Sequence, residues 1–485
     1  MSFETIIGLE IHAELNTISK IFCSCSTEFG AKPNENTCPI CMGIPGTLPV
    51  LNAEVVNLAI KAGTILNCQI NRLNKMDRKN YFYPDLPKAY QTSQYDMPIC
   101  SGGYVDIEVD GLKRRIRLNR IHIEEDAGKL LHLEDEGISL VDYNRVGVPL
   151  IEIVTEPDMR SVEEAITFLR TLKSMLEYGE ISDCRMEQGS LRCDANISLR
   201  RTGQENLNTR VELKNLNSFK ELQKALEKEE KRQRELYTFG EEDKIKQETR
   251  RWDSGKGKTI PMRSKEDAHD YRYFPEPDLV PIIINDSQVK EILETLPEMP
   301  AVKKCRFREL YGLNDKEINI IIGDMALAKY YEALVDCGTN PKTGANWILG
   351  SMLKLLNESE FEAENIPVAP QELFKLTKLI EEGKISITAG QEVFRVMFDT
   401  GSSAEEIVQE KGLSQISDTA DLERLIKEVL DANQQSVSDY ASGKSQAAGF
   451  LMGQVMKASR GKANPQITKA LLEEKLKQRK ESAPT

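Results

Sequence analysis

The chain has 485 residues, with 64 Lys and Arg against 77 Asp and Glu, a formal net charge of −13. That length suits two to four domains at ~100–200 residues each, and 40% hydrophobic with 29% charged residues is the make-up of a globular protein in water. The acidic balance excludes a generally basic nucleic-acid coat. No apolar run approaches the roughly 20 residues of a membrane span, and Met1-Ser2-Phe3-Glu4 lacks a basic-then-apolar signal region. A cytoplasmic protein with no membrane contact is expected.

The first element, Ile7 to Leu15, alternates apolar and polar residues with the period of a half-buried strand. Leu9, Ile11, Ala13 and Leu15 should face a core, while Glu10, His12 and Glu14 share the other side. A solvated strand face would read the same way, but the pattern recurs in two later stretches, Leu191–Leu199 and Arg210–Asn215. The first carries Arg192, Asp194, Asn196 and Ser198 on one side; the second carries Arg210, Glu212 and Lys214. With a polar turn around Gly203 they read as a hairpin. Three acidic strand faces interleaved with Arg, Lys and Asn suit a polyphosphate and its magnesium, since hard carboxylate oxygens are the ligands Mg²⁺ prefers.

Ten cysteines without a secretion signal point to thiols or metal, not disulfides. Cys23-x-Cys25 and Cys38-x-x-Cys41 have the spacing of a zinc knuckle. The polar segment between them, Glu28 to Thr37, has little else to hold it together, so a structural zinc is expected. A helix follows over Ala53–Leu66. Asp77 to Gln91 contains Pro84 and Pro87, which argue for an irregular loop. Its Tyr81, Phe82, Tyr83 and Tyr90, mixed with Arg78, Lys79 and Lys88, suit base stacking and phosphate as well as they suit packing over a sheet.

Tyr104–Val109 and Leu112–Ile123 read as strands around an Asp110-Gly111 turn. The second runs into Glu124-Glu125-Asp126-Ala127-Gly128-Lys129, an acidic strand end fit for metal; the pattern leaves open which of Glu124 and Glu125 faces the site. Capping boxes at Ser161 and Ser218 open helices to about Tyr178 and Tyr237. Arg250-Arg251-Trp252 and Asp270 to Asp278 add basic-aromatic stretches. From about Thr295 the pattern becomes helical: Ala301–Tyr311, Asp315–Cys337, Ala345–Asn357, Pro370–Glu382, Thr388–Thr400, Ser403–Lys411, Asp418–Asn433, Ser436–Ser442, Lys444–Ala458 and Gln466–Lys480.

These shifts predict an α+β chain: a β-rich domain over 1–294, a helical domain over 295–405, and a helical tail over 406–485. Residues 406–440 hold 3 Lys/Arg against 8 Asp/Glu, and residues 441–485 hold 9 against 3. A basic end on an acidic body is a footprint for RNA phosphates. Lys444, Lys457, Arg460 and Lys462 are the candidate contacts, with Gly443, Gly449, Gly453 and Gly461 leaving backbone open nearby.

Several enzyme classes are excluded. Gly257-Lys258-Thr259 imitates the end of a phosphate-binding P-loop, but the required first Gly is Trp252. No Gly-rich dinucleotide turn follows a strand. Neither a nucleophile elbow nor a Ser-Ser-Lys amidase arrangement can be assembled.

The whole chain resembles the GatB family, the B subunits of glutamine-dependent aspartyl/glutamyl-tRNA amidotransferases. The resemblance is carried by Gly8-Leu9-Glu10-Ile11-His12, Asp77 to Asp85, Glu124 to Lys129, Gly189 to Asn196, Glu212 to Asn217, and Asp270 to Asp278. It implies a cradle-shaped β-rich domain holding a kinase and transamidase site, a helical domain, and a tRNA-binding tail. It also implies a heterotrimer whose other members are an amidase, which releases ammonia from glutamine, and a small third subunit. A GatB chain would use ATP to phosphorylate the side-chain carboxylate of Glu misacylated on tRNA(Gln), or Asp on tRNA(Asn), before ammonia displaces the phosphate. The family's Mg²⁺ ligands map onto Glu10, His12, Glu125, Asp194 and Glu212. Glu124 and Asn196 are expected to touch the cofactor, and Lys79, Arg192 and Lys214 the phosphate or an oxyanion. Zn²⁺ would sit on Cys23, Cys25, Cys38 and Cys41. Two other readings are a non-catalytic zinc-containing RNA scaffold and a metal-dependent phosphohydrolase.

Overall fold

The computed structural model describes residues 2–133, 135–262, 270–359, 361, 363–415, 419–442, 444, 446–459 and 462–481. The chain divides into two compact units, Met1–Pro300 and Ala301–Thr485. The first is built on a ten-stranded mixed sheet and the second is helical, so the fold class is α+β as expected.

The organising strand is Phe3–Glu14. It lies between Leu191–Arg201 and Pro149–Thr155, antiparallel to both, and Pro149–Thr155 pairs in turn with Leu112–Glu125. Alternation gives this sheet one dry face. Leu9, Ile11, Ala13, Ile121, Ile123, Ile151, Ile153, Cys193, Ala195 and Leu213 are all buried there. They form one core with the apolar stripes of helices Ala53–Ile65, Val162–Tyr178 and Phe219–Thr238. Burial at roughly 25 cal/mol per Å² drives that layer together and fixes the register. A one-residue slip of Phe3–Glu14 would drive Glu10 and His12 into the core.

Ser161 and Ser218 cap their helices by accepting from Glu164 and Glu221 N–H, 3.1 and 3.2 Å. The glutamates reach back one residue further than a capping box requires, to the N–H of Arg160 and Asn217. The expected irregular loop at Asp77–Gln91 is a correction. Asp77–Asn80 and Tyr90–Ser93 pair as strands, with Pro84 and Pro87 confined to the turn between them. Phe274–Pro275 joins on the other edge of Asp77–Asn80, giving a three-stranded sheet. Arg78 locks it with a bidentate pair to Glu276, 2.7 Å twice, and stacks over Tyr90. Gly257-Lys258-Thr259 lies at the start of an edge strand, Lys258–Pro261, and not in a phosphate loop.

In the second unit the helices follow the expected segments, with two differences. Asp324 accepts from Leu327 N–H and starts a new helix, so Asp315–Cys337 is two helices, Asp315–Ile322 and Met325–Asp336. The helix expected at Ala345 starts at Pro341, capped by Asn340, and contains a π turn at Ile348–Met352. A helix at Asp286–Glu294, capped by Asn285, has no counterpart among the expected elements. Among the described residues the second unit has no strand.

Candidate active site

The polar face of the sheet brings side chains together row by row, because residues directly opposite on neighbouring strands share a face. In one row Arg192, His12, Glu152 and His122 stand side by side across four strands. In the next, Asp194 is opposite Glu10. Beyond that, Glu212, Asn196 and Gly8 line up. Glu14 and Glu124 flank Leu150 on the other side.

Two imidazoles and two carboxylates form an alternating ring. His12 Nε2 lies 3.2 Å from Glu124 Oε1 and 3.4 Å from Glu152 Oε2. His122 Nε2 lies 3.5 Å from Glu124 Oε2 and 3.1 Å from Glu152 Oε2. His122, Glu124 and Glu152 are buried, and His12 is open at its edge. Burial pushes both imidazoles down, but their hydrogen bonds to the Glu124 and Glu152 carboxylates outweigh it, so His12 is pushed up to about 10 and His122 to about 9. Burial raises Glu152 while its two histidine bonds lower it, to about 2. Glu10 is pushed up by burial and by Glu152. Once the ligating imidazole releases its proton, these groups fit a divalent cation: Glu10, His12 and Glu152 bring their ligand atoms within 4.8 Å of one another, as do His122, Glu124 and Glu152.

The expected ligand set is thus only partly gathered. Glu10 and His12 are together. Asp194 and Glu212 are both held by Lys214, at 2.8 and 3.2 Å, and Thr249 donates to Glu212 at 2.7 Å. Asn196 stands between Glu212 and Gly8. Of the two adjacent glutamates, Glu124 joins the histidines. Glu125 is engaged elsewhere: its Oε1 accepts from Lys88 and from Thr92 N–H, and it lines a cavity of about 210 Å³ with Lys20, Cys41, Arg78, Lys88 and Glu276. Strand alternation forces the split, since neighbouring side chains point to opposite faces.

Cations border the group. Arg192 donates to Asp126 at 2.7 Å, and Asp126 also meets Arg145. Lys79 Nζ sits over Tyr271, 4.9 Å from the ring centre, with Tyr81 beyond. Gly128 is required by close packing, because its N–H donates to Asp85 O and a Cβ would sit 3.0 Å from Asp142 O.

His122 and Glu152 are functional candidates that local pattern does not single out. Ile121-His122-Ile123-Glu124 mirrors Leu9-Glu10-Ile11-His12, which is the signal available for the first. Glu152 is a lone carboxylate within Leu150-Ile151-Glu152-Ile153-Val154, and a charge interrupting an apolar strand must be paired when buried.

The sulfurs of Cys23, Cys25, Cys38 and Cys41 lie within 4.8 Å of one another. That is close to the spread of four thiolates around one zinc at ~2.3 Å Zn–S. Cys38 N–H donates to Cys41 Sγ at 3.1 Å. The hydrogen bond between Cys23 and Cys41 lowers the Cys41 thiol and raises that of Cys23. Replacing Cys38 and Cys41 together by Ala should cut zinc from one ion per chain to none in metal analysis; zinc retained at one would remove this assignment.

In the tail, helices from Thr419 to Glu481 pack around Leu422, Ile426, Leu430, Leu451 and Val455. Lys444 pairs with Asp439, Lys475 with Glu423 and Arg479 with Asp431. Part of the charge asymmetry is therefore neutralised within the bundle. Lys457 and Lys462 are exposed. Arg460, Gly443 and Gly461 lie outside the described residues.

Residues 5–290 match the family described as GatB/GatE catalytic domain, and residues 329–476 that described as GatB domain. The B subunit of an aspartyl/glutamyl-tRNA(Asn/Gln) amidotransferase from Clostridium beijerinckii is 65% identical over 476 residues, covering 98% of this chain and 99% of the relative. The second such B subunit of Clostridium acetobutylicum is 64% identical over 477 residues, 98% and 100% of the two chains. The corresponding protein from Thermoanaerobacter pseudethanolicus is 57% identical over 476 residues, again 98% and 100% of the two chains. This chain belongs to the GatB family.

Proposed function

We propose that this chain is the part of a glutamine-dependent tRNA amidotransferase that activates and amidates the misacylated amino acid. The observation that carries the reading is that the His12, Glu124, His122 and Glu152 ring lies on the sheet of the segment matching the GatB/GatE catalytic domain. The side-chain carboxylate of Glu on tRNA(Gln), or of Asp on tRNA(Asn), attacks the γ-phosphorus of ATP and ADP leaves. Ammonia then adds to the acyl carbon, the C–O bond to phosphate breaks, and the nitrogen loses a proton, giving Gln-tRNA(Gln) or Asn-tRNA(Asn).

A carboxylate approaching a phosphoryl group brings negative charge to negative charge, so catalysis is chiefly positioning and charge stabilisation. Magnesium, held by Glu10, His12 and Glu152, would supply charge neutralisation at the phosphoryl oxygens. Asp194 and Glu212 hold Lys214 beside Glu10, where its ammonium faces the incoming anion. Arg192 is oriented by Asp126 to do the same from the other side of His12. Lys79, backed by Tyr271, guards the aromatic wall and fits a phosphate of the incoming end of tRNA.

The organisation proposed is a catalytic cradle over 1–294, a helical domain over 295–405 and a tRNA-binding tail over 406–485. It would work in the cytoplasm as a heterotrimer with the amidase and the small third subunit. No helix among the described residues is long and apolar enough to cross a membrane. ADP release that depends on misacylated tRNA, and not on uncharged tRNA, tests the reading; ATP turnover indifferent to tRNA would favour a phosphohydrolase.

The tail makes its own prediction. Phosphate contacts release counterions, so a grip through Lys457 and Lys462 should weaken as salt rises. Deleting 406–485 should raise the KM for charged tRNA severalfold and flatten its salt dependence. An unchanged KM at several salt concentrations would reduce these lysines to solubilising charges.

A further inference from the structure

Lys20 is only 1% exposed. A lysine is almost never this buried without an anionic partner, yet no carboxylate of the described residues lies within the 4 Å of an ion pair. Its Nζ donates to Asn36 O at 2.7 Å and Tyr143 O at 3.4 Å. The third neighbour is Cys41 Sγ at 3.9 Å. The backbone continues the same joint: Lys20 N–H donates to Cys25 O at 3.0 Å and Ile21 N–H to Gly147 O at 2.8 Å. One lysine thus ties both cysteine pairs, the segment between them and the Tyr143–Gly147 turn.

We infer that Lys20 is the counter-charge of the cysteine zinc site, a positioning residue that keeps Cys41 a ligand by offsetting the surplus negative charge of four thiolates on one divalent ion. This rests on the zinc reading of the four cysteines. Four thiolates and Zn²⁺ sum to −2, and burying that charge uncompensated is costly. A buried ammonium without a carboxylate carries the complementary problem. Placed together, each charge offsets part of the other's cost, and removing either leaves its partner buried and uncompensated. Groups behind metal ligands typically set affinity by about 10–100-fold.

The test is chelator competition for zinc on the full chain, with folding followed in parallel by circular dichroism. Lys20→Met should lose zinc to the chelator with at least a tenfold weaker affinity, and Lys20→Arg should recover most of it. Charge compensation adds a requirement that a packing role would not meet. Replacing one thiolate by a neutral ligand, Cys41→His, lowers the site to −1, so Lys20→Met should then cost little in that background. If Lys20→Met fails to fold alone but folds and binds zinc together with Cys41→His, the inference stands. Equal losses in both backgrounds, failure to fold in both, or zinc affinity unchanged in Lys20→Met would overturn it. Zinc retained by the Cys38→Ala, Cys41→Ala variant would instead remove the zinc reading itself.

Discussion

Glu124→Ala or Glu152→Ala should lower ATP-dependent phosphorylation of the tRNA-borne carboxylate by about 10²–10³-fold or more, on the scale of losing a preorganised electrostatic group. Binding of tRNA should stay close to wild type. The reason is position. Each carboxylate touches both His12 and His122, so removing either opens two sides of the ring at once. Asp194→Ala should act similarly but more weakly, because Asp194 works by holding Lys214. Glu125→Ala is the informative comparison. Its carboxylate is tied to Lys88 and Thr92, so ADP release with misacylated tRNA should remain measurable. Single-turnover assays of ADP release and filter-binding of tRNA, on the same variants, check both halves. Loss of tRNA affinity with phosphorylation intact in Glu124→Ala would reverse this picture of the cradle.

The second large effect is on stability without metal. His122 is buried between two glutamates. Replacing it by Asn leaves their charges uncompensated, at a cost of about 3–5 kcal/mol for breaking such a buried pair. The pH dependence follows from the shifts. Both imidazoles bind protons more tightly in the folded chain than at the ordinary histidine value of 6.5. Their contribution is therefore complete below about pH 6.5. It is lost as pH rises through about 9 for His122 and about 10 for His12. Glu152 works in the opposite sense: its contribution is present above the ordinary 4.5 and lost as pH falls through about 2. Thermal melts of metal-free protein should show wild type exceeding His122→Asn most between those limits, with the gap narrowing from pH 7 to pH 10. A gap constant across that range would contradict the ring as an ion-paired unit.

How much of the fold and site is legible in the sequence depends on periodicity. Period-two alternation locates Phe3–Glu14 and Leu191–Arg201, and it separates the polar sides of both from the core. The same rule fails at Pro149–Thr155, because that strand is buried on both faces, Glu152 included, with Val154 partly open, and an apolar run without alternation carries no face information. Alternation also cannot choose between Glu124 and Glu125. The choice is set by the register with Leu150 and Pro149 on the neighbouring strand, a long-range fact absent from local pattern. Pro84 and Pro87 mislead: they exclude regular structure only where they stand, and Asp77–Asn80 pairs with Tyr90–Ser93 beyond the turn and with the distant Phe274–Pro275 on its other edge. The four cysteines are readable because metal-ligand spacing is local. The paired cations of the tail are not, since Lys475 and Arg479 meet acids roughly fifty residues away, Glu423 and Asp431, which a running charge count cannot see.

On the proposed function, the polar face of the sheet activates a tRNA-borne carboxylate for amidation. The most direct measurement is amide formation by the chain assembled with the amidase and the small third subunit. The complex is supplied with glutamine, ATP and Glu-tRNA(Gln) or Asp-tRNA(Asn), and wild type is compared with Glu152→Ala. The expected result is Gln-tRNA(Gln) or Asn-tRNA(Asn) from wild type, one ADP per amide, and neither product nor tRNA-dependent ADP from Glu152→Ala while glutamine hydrolysis continues. Amide formation by Glu152→Ala at the wild-type rate would contradict it.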